Sequence, residues 1–430
     1  MALLIKNVRA IDPSCDLDEV VDIVIQDGII KEVGQNLSIE KGVTEDYSGK
    51  IALPGFFDMH VHFRDPGQEY KEDIKTGSQA AVAGGFTGVA TMPNTKPTTD
   101  TAELVSYQYE KAKELGICKV YPLGAITNGL KGEHLAEMGS MYNAGALGFT
   151  DDGHGVQNGG MERTAMEYSR QFDALIISHC EDEGIVGKGV MNESPISDHL
   201  GLTGWPTLGE EIQIERDIEL AKITGARLHI AHITTAKGVE MVKKAKAEGV
   251  QVSCEVCPHH LLLNEELIDS KYPVNLKMNP PLRSKEDMLK LQEYFIKGDI
   301  DCLVTDHAPH AEHEKNIHFE DAPFGIIGLE TSFALIHTNF VVNGKMSYQD
   351  LVERMSIAPR RLLHTEPVQI KAGSKGDLTI IDPDKKWTFE NKDIYSKSKN
   401  TPFKGYEFIG KVSDTIVDGY HSYQDFKLAK

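Results

Sequence analysis

The chain has 430 residues, 40% of them hydrophobic and 26% charged, a balance that excludes a disordered or fibrous protein. With 45 Lys+Arg against 65 Asp+Glu its formal net charge is −20, which argues against a nucleic-acid partner or an anionic membrane surface. A small anionic substrate stays open, because a local cationic pocket can override the global field.

In chain order, the first fifty residues read as short strands. Segments 3–11, 20–25 and 29–33 are rich in β-branched and apolar residues, and Asp27-Gly28 supplies a turn between the last two. From residue 51 the rhythm changes. Strand-like runs at 51–57, 86–92, 119–124, 146–150, 174–179, 227–232, 250–256 and 301–305 alternate with helical stretches. The helices are predicted over 71–83, 101–115, 161–172, 210–224, 236–248 and 285–295, with two more at 330–339 and 348–363. This alternation predicts an α/β fold, a (β/α)8 TIM barrel. After about residue 370 strand character returns at 378–381, 408–411 and 415–417. The two ends predict one small composite β-sandwich domain from segments 1–50 and 366–430, flanking a barrel over 51–365.

Six cysteines in 430 residues form no disulfide framework. The one CxxC, Cys254 to Cys257, lacks a second pair and reads as two small residues on a barrel strand. No signal-peptide architecture and no apolar run of roughly 18 residues is present, so a cytoplasmic enzyme without a membrane span is expected.

The chemistry gathers at the predicted strand ends, where barrels place their active sites. The first strand runs into Asp58-Met-His60-Val-His62-Phe-Arg64. Residues i and i+2 of an extended segment face one way, so His60 and His62 can grip one ion. The fourth strand ends at Asp151-Asp152. If Leu147 and Phe149 face the helices, Asp152 faces the barrel mouth; the structural alternative is a simple turn before Gly153. The fifth strand ends at His179, the sixth at His232, and the eighth at Asp306-His307-Ala308-Pro309-His310. Mixed His/carboxylate ligation suits zinc and tolerates other divalent metals.

Eight motifs carry a family resemblance: LPGFFDMHVHFRDPG (53–67), GGFTGVATMPNTKP (84–97), GFTDDG (148–153), SHCED (178–182), HIAHIT (229–234), KMNPPLR (277–283), TDHAPH (305–310) and APFGIIGLET (322–331). They resemble the amidohydrolase superfamily and, within it, the long bacterial class of dihydroorotases, over essentially the whole chain. The resemblance implies His60, His62, Asp152, His179, His232 and Asp306 as ligands of two Zn2+ ions. It implies substrate contacts at His62, Arg64, Asn94, Asn279, His310, Phe324 and Gly325. His307, His259 and His260 would support the site, and 310–322 would form a mobile lid.

The implied reaction is reversible hydrolysis of dihydroorotate to N-carbamoyl-aspartate in pyrimidine biosynthesis. A hydroxide shared by the ions would attack the ring carbonyl while Asp306, the catalytic residue, shuttles the proton. Arg64 would hold the substrate carboxylate; its structural alternative is an ion pair with Asp65 or Asp73. Related cyclic amidases often bridge their metals with a carboxylated lysine on strand four, and here Asp152 takes that place. The alternatives are a cyclic amidase acting on hydantoins, dihydropyrimidines or allantoin, and an inactive scaffold. A homodimer and an association with aspartate carbamoyltransferase are further expectations of the resemblance.

Overall fold

The computed structural model describes residues 2–429. The two chain ends build a single nine-stranded sheet. Ala2–Asp12 pairs antiparallel with Leu17–Gln26, which pairs with Ile29–Gly34. Asp27 (φ 51°) and Gly28 (φ 77°) both take the left-handed backbone of the expected tight turn. Leu378–Thr388 and Glu407–Val417 complete the other half, antiparallel to one another. The expected strands at 408–411 and 415–417 are thus one continuous strand.

The expected strand over 51–57 divides in two. Ile51–Pro54 belongs to the sheet, parallel to Ala2–Asp12 and antiparallel to Leu378–Thr388, so it splices the N- and C-terminal halves. Phe56–Val61 is the first barrel strand. Gly55 makes the passage, because a Cβ there would lie 2.3 Å from the Thr87 hydroxyl. The boundary between sheet and barrel therefore falls at Gly55 rather than at residue 51. Buried Arg360 fixes this crossing, donating Nη1 to the Gly55 carbonyl at 2.7 Å and Nη2 to Thr87 Oγ1 at 3.0 Å.

The other barrel strands follow at Phe86–Thr91, Lys119–Pro122, Gly148–Thr150, Leu175–Ser178, Arg227–Ile230, Val252–Val256 and Cys302–Leu303. All pair parallel within two groups of three and five. Bridges between Gly124 and Phe149 and between Val61 and His307 join the groups and close the ring. Helices return the chain between strands. Ile74–Ala83, for example, starts at Asp73, whose carboxylate accepts the Thr76 amide at 2.8 Å in a capping box. The helix expected over 348–363 is continuous, with Tyr348–Val352 and Ala358–Leu362 joined through a wider helical turn at 353–357. Pro359 has no N–H to offer the preceding turn, which accounts for the widening. Among the described residues no helix is long and apolar enough to cross a membrane.

The largest apolar cluster lies between strands and outer helices, and a smaller one fills the barrel beneath the mouth. Phe149 faces the helices as its parity predicts. Leu147 instead packs against the interior cluster, because regular pairing begins only at Gly148. At the junction of sheet and barrel, fully buried Phe56 packs against Phe86 and Phe333, each with ring centroids 5.9 Å away. Phe56→Ala is expected to cost about 3–5 kcal/mol, measured by urea unfolding. A loss below about 1 kcal/mol would show that this junction is not a core contact.

Candidate active site

Three site residues adopt left-handed backbone that only surrounding structure can hold: Arg64 (φ 59°), His232 (φ 28°) and Asp306 (φ 46°). Each stands just past the end of a barrel strand, and the bend turns its side chain over the mouth. Asp58 ties two of those strand ends together. Its buried carboxylate accepts the His60 amide at 3.0 Å and the Thr305 amide at 3.0 Å. Burial still pushes its pKa up to about 7.

The six predicted ligands converge on Asp152. Its Oδ1 lies 3.3 Å from His60 Nε2, 3.5 Å from His179 Nδ1 and 3.7 Å from His232 Nε2. Its Oδ2 lies 3.5 Å from His62 Nε2. Asp306 Oδ1 is 2.9 Å from His62 Nε2 and 3.5 Å from His60 Nε2. His179 Nδ1 and His232 Nε2 are 2.9 Å apart. Asp151, by contrast, points away. Its carboxylate accepts the Ile126 amide at 2.8 Å, the Thr127 amide at 2.9 Å and the Thr127 hydroxyl.

This arrangement fits a metal. Two ligands at ~2.0–2.1 Å from a tetrahedral ion stand roughly 3.3–3.4 Å apart, close to most of these separations. Among these six residues, two triads have donor atoms mutually within 4.8 Å: His60, Asp152 and His232, and His60, His62 and Asp306. His60 Nε2, Asp152 Oδ1 and His232 Nδ1 are buried without a hydrogen-bond partner, an arrangement that is costly unless something else satisfies them. The electrostatics agree. Burial opposes charge on His60, but Asp152 and Glu255 hold its imidazolium well above the usual range. Burial also opposes charge on Asp152, yet His60, His179 and His232 hold its carboxyl well below the usual range. Burial likewise works against His179, and Asp152 and Glu181 overcome it, raising it to about 10. The cluster is a set of buried anions seeking cations.

The orienting groups include residues that sequence reasoning missed. Glu255 Oε1 accepts His60 Nδ1 at 2.6 Å, and its Oε2 accepts His229 Nε2 at 3.1 Å. Glu181 Oε2 holds His179 Nε2 at 2.9 Å and accepts Asn279 Nδ2 at 2.9 Å. Asn94 Oδ1 accepts His62 Nδ1 at 2.9 Å. Such partners fix which nitrogen of each ring faces the centre. The signals were present: a lone carboxylate within the apolar strand that runs Val252–Val256, and an acid two residues after His179.

His62, Asp152, His179, His232 and Asp306 line a cavity of about 300 Å³ together with Arg64, Asn94, Asn279, His310, Phe324 and Gly325. Every predicted substrate contact is therefore in one pocket. Arg64 is buried and donates Nε to the Pro309 carbonyl at 3.3 Å. The two carboxylates considered as its partners are committed elsewhere. Asp65 pairs with Lys111 at 2.7 Å, and Asp73 pairs with Lys397. His310 donates Nε2 to the Phe324 carbonyl at 2.7 Å. Burial, Arg64, Lys315 and Lys71 lower its pKa to about 2, so it is neutral and Nδ1 carries a lone pair. Gly325 (φ 115°) sits so close to Ala308 that a Cβ would lie 2.6 Å from the Ala308 Cβ. His307 stays below the cavity, 3.4 Å from Glu72, and His260 donates to the Pro280 carbonyl at 2.9 Å. Cys254 and Cys257 are both buried and free.

A His/Asp cluster at the C-terminal mouth of a (β/α)8 barrel, flanked by a composite β domain, defines a metal-dependent amidohydrolase. Residues 49–238 match the family described as Dihydro-orotase-like. A dihydroorotase of Trichlorobacter lovleyi is 45% identical over 420 residues, 97% of this chain and 98% of that protein. A dihydroorotase of Citrifermentans bemidjiense is 46% identical over 425 residues, 99% of this chain and 100% of that protein. Among solved structures, the L-hydantoinase (dihydropyrimidinase) of Arthrobacter aurescens superposes with a TM-score of 0.89 at 27% identity, covering 100% of this chain and 97% of that one. The chain belongs to the dihydroorotase family.

The two adjacent aspartates separate structure from chemistry. Asp152→Asn is expected to bind less than half the metal of the wild type, measured by elemental analysis after reloading. Asp151→Asn is expected to keep its metal and lose about 1–3 kcal/mol of stability. The reverse pattern would exchange their roles.

Proposed function

We propose that this chain is a dihydroorotase, opening the cyclic amide of dihydroorotate to N-carbamoyl-aspartate and closing it again. The observation that carries the reading is Arg64. Among the described residues no carboxylate forms a direct ion pair with the buried Arg64 guanidinium, which lines the same cavity as the His/Asp cluster. Such a group calls for an anion, and dihydroorotate carries a carboxylate beside its cyclic amide. Near-full-length likeness to the dihydroorotases of Trichlorobacter lovleyi and Citrifermentans bemidjiense supports the same substrate.

The residues we propose would hold two Zn2+ ions are His60, His62, Asp152, His179, His232 and Asp306. When bound, such ions supply Lewis acidity and lower the pKa of water to roughly 7. The chain's own groups do the rest. Arg64 and the Asn94 amide receive the substrate carboxylate. Neutral His310 beside them meets that carboxylate as a donor only if it takes up a proton. Asn279 and the backbone of Phe324 and Gly325 border the ring. Asp306 is held ionised despite its burial by His62, His60 and His232. An ionised carboxylate at this position accepts a proton from the attacking water and returns it to the ring nitrogen as the amide bond breaks. Cyclisation uses the same steps reversed. Two Zn2+ per chain is our reading of this donor set of four imidazoles and two carboxylates, which also tolerates other divalent metals.

The hydantoinase likeness favours a second reading, a cyclic amidase for uncharged rings, since its fold and coverage match over the full chain. Arg64 weighs against it, because a neutral ring would give this buried guanidinium no anion of its own to bind.

The metal-loaded protein is expected to cyclise carbamoyl-aspartate, followed by ultraviolet absorbance at acidic to neutral pH. No turnover with metal present would overturn the assignment. Asp306→Asn should lower kcat by about two to four orders of magnitude, the range of a lost acid–base group, while more than half of the metal stays bound. A near-normal rate would remove Asp306 from proton transfer.

A further inference from the structure

One side chain from the C-terminal segment reaches the mouth of the barrel. After Leu378–Thr388 the chain leaves the sheet and crosses the rim of the barrel before returning in Glu407–Val417. Over residues 396–400 it is fastened at successive points. The Ser396 hydroxyl donates to Glu72, and the Ser398 hydroxyl donates to the Lys71 carbonyl at 2.7 Å. The Ile327 amide donates to the Asn400 carbonyl at 2.9 Å.

The Asn400 side chain then goes inward. It is 5% exposed, and both ends of its carboxamide are used. Oδ1 accepts the His310 amide at 3.1 Å. Nδ2 donates to the Ala308 carbonyl at 3.0 Å and to the Gly325 carbonyl at 3.1 Å. Those three residues lie on two pocket walls, which also meet directly where the Ala308 amide donates to the Ile326 carbonyl at 2.8 Å and His310 Nε2 to the Phe324 carbonyl at 2.7 Å. Ala308 and His310 follow the eighth barrel strand, and Gly325 closes the loop that runs back from it. The walls touch through the space that Gly325 leaves open against Ala308.

We propose that Asn400 is a positioning residue for the reaction, setting the distance between the His310 wall and the Phe324-Gly325 wall of the substrate pocket. The proposal rests on the dihydroorotase reading for its substrate. The physical reason is geometric. An amide offers one acceptor and two donors in a fixed plane, matching one N–H and two carbonyls that converge from different loops. Aspartate has the same shape but no donors, so it sets a carboxylate oxygen against two carbonyl oxygens. Alanine leaves one N–H and two carbonyls without their partner. Neither change touches the His/Asp cluster. A displacement of about 1 Å at a substrate wall is enough to weaken productive binding strongly. The C-terminal segment thereby contributes to the pocket without touching substrate.

The test uses the full-length, metal-loaded chain with Asn400→Ala, Asn400→Asp and, as a structural control on the same segment, Ser398→Ala. Both Asn400 variants are expected to raise KM for dihydroorotate at least tenfold, Asn400→Asp the more, with kcat within about threefold and metal content unchanged. Ser398→Ala is expected to lower the thermal midpoint without moving KM. Amide hydrogen exchange reads the same contact without turnover: the peptide containing His310 should exchange at least tenfold faster in Asn400→Ala. Should Asn400→Asp fail to fold, Asn400→Ser keeps the comparison, because its single, shorter hydroxyl cannot serve the His310 amide and both carbonyls at once. Unchanged KM and unchanged exchange would overturn the proposal. So would parallel losses of kcat, metal and thermal midpoint, which mark a merely structural residue. A wild-type chain inactive on dihydroorotate, with exchange still accelerated in Asn400→Ala, would sink the substrate reading and leave the positioning role standing.

Discussion

Four imidazoles and two carboxylates are held together in a buried space at the barrel mouth, with Asp152 at their centre. Everything around them serves that concentration of charge. Burying carboxylates without compensating cations costs several kcal/mol each. Glu255, Glu181 and Asn94 each fix one imidazole by its outer nitrogen, so the inner nitrogens converge. Asp58 holds the first and eighth strand ends together beneath the cluster. The bent backbone at His232 and Asp306 is strain that only a closed barrel can impose.

The same constraint explains how an acidic protein accommodates an anion. The net charge of −20 is spread over the molecule, whereas the cavity places the Arg64 guanidinium in its own wall, where the proposed carboxylate would bind. Over such short distances a local cation outweighs the distant, screened field.

Much of the site was legible because barrel strands have simple rules. Two histidines two residues apart must share a face, so His60 and His62 were visible as a pair. Parity also chose Asp152 over Asp151, even though Leu147 does not face outward as the argument assumed. The division at Gly55 was hidden, because the run around it is apolar on both sides of the break. Only the clash of a Cβ with Thr87 reveals why a glycine stands there. Glu255 and Glu181 were harder to see, since their partners are ring nitrogens. Asn400 left no local signal at all. Its partners lie 75 to 92 residues away in sequence, and only the folded chain brings them together.

The central claim is that the cavity selects a cyclic amide bearing a carboxylate, and that Arg64 does the selecting. Its most direct test is the ratio of kcat/KM for dihydroorotate over dihydrouracil, the same ring without the carboxylate, in wild type and Arg64→Met. The account predicts a strong wild-type preference for dihydroorotate that falls by about a hundredfold or more in the variant, the scale of a lost buried charge pair. A ratio that Arg64→Met leaves unchanged would contradict it.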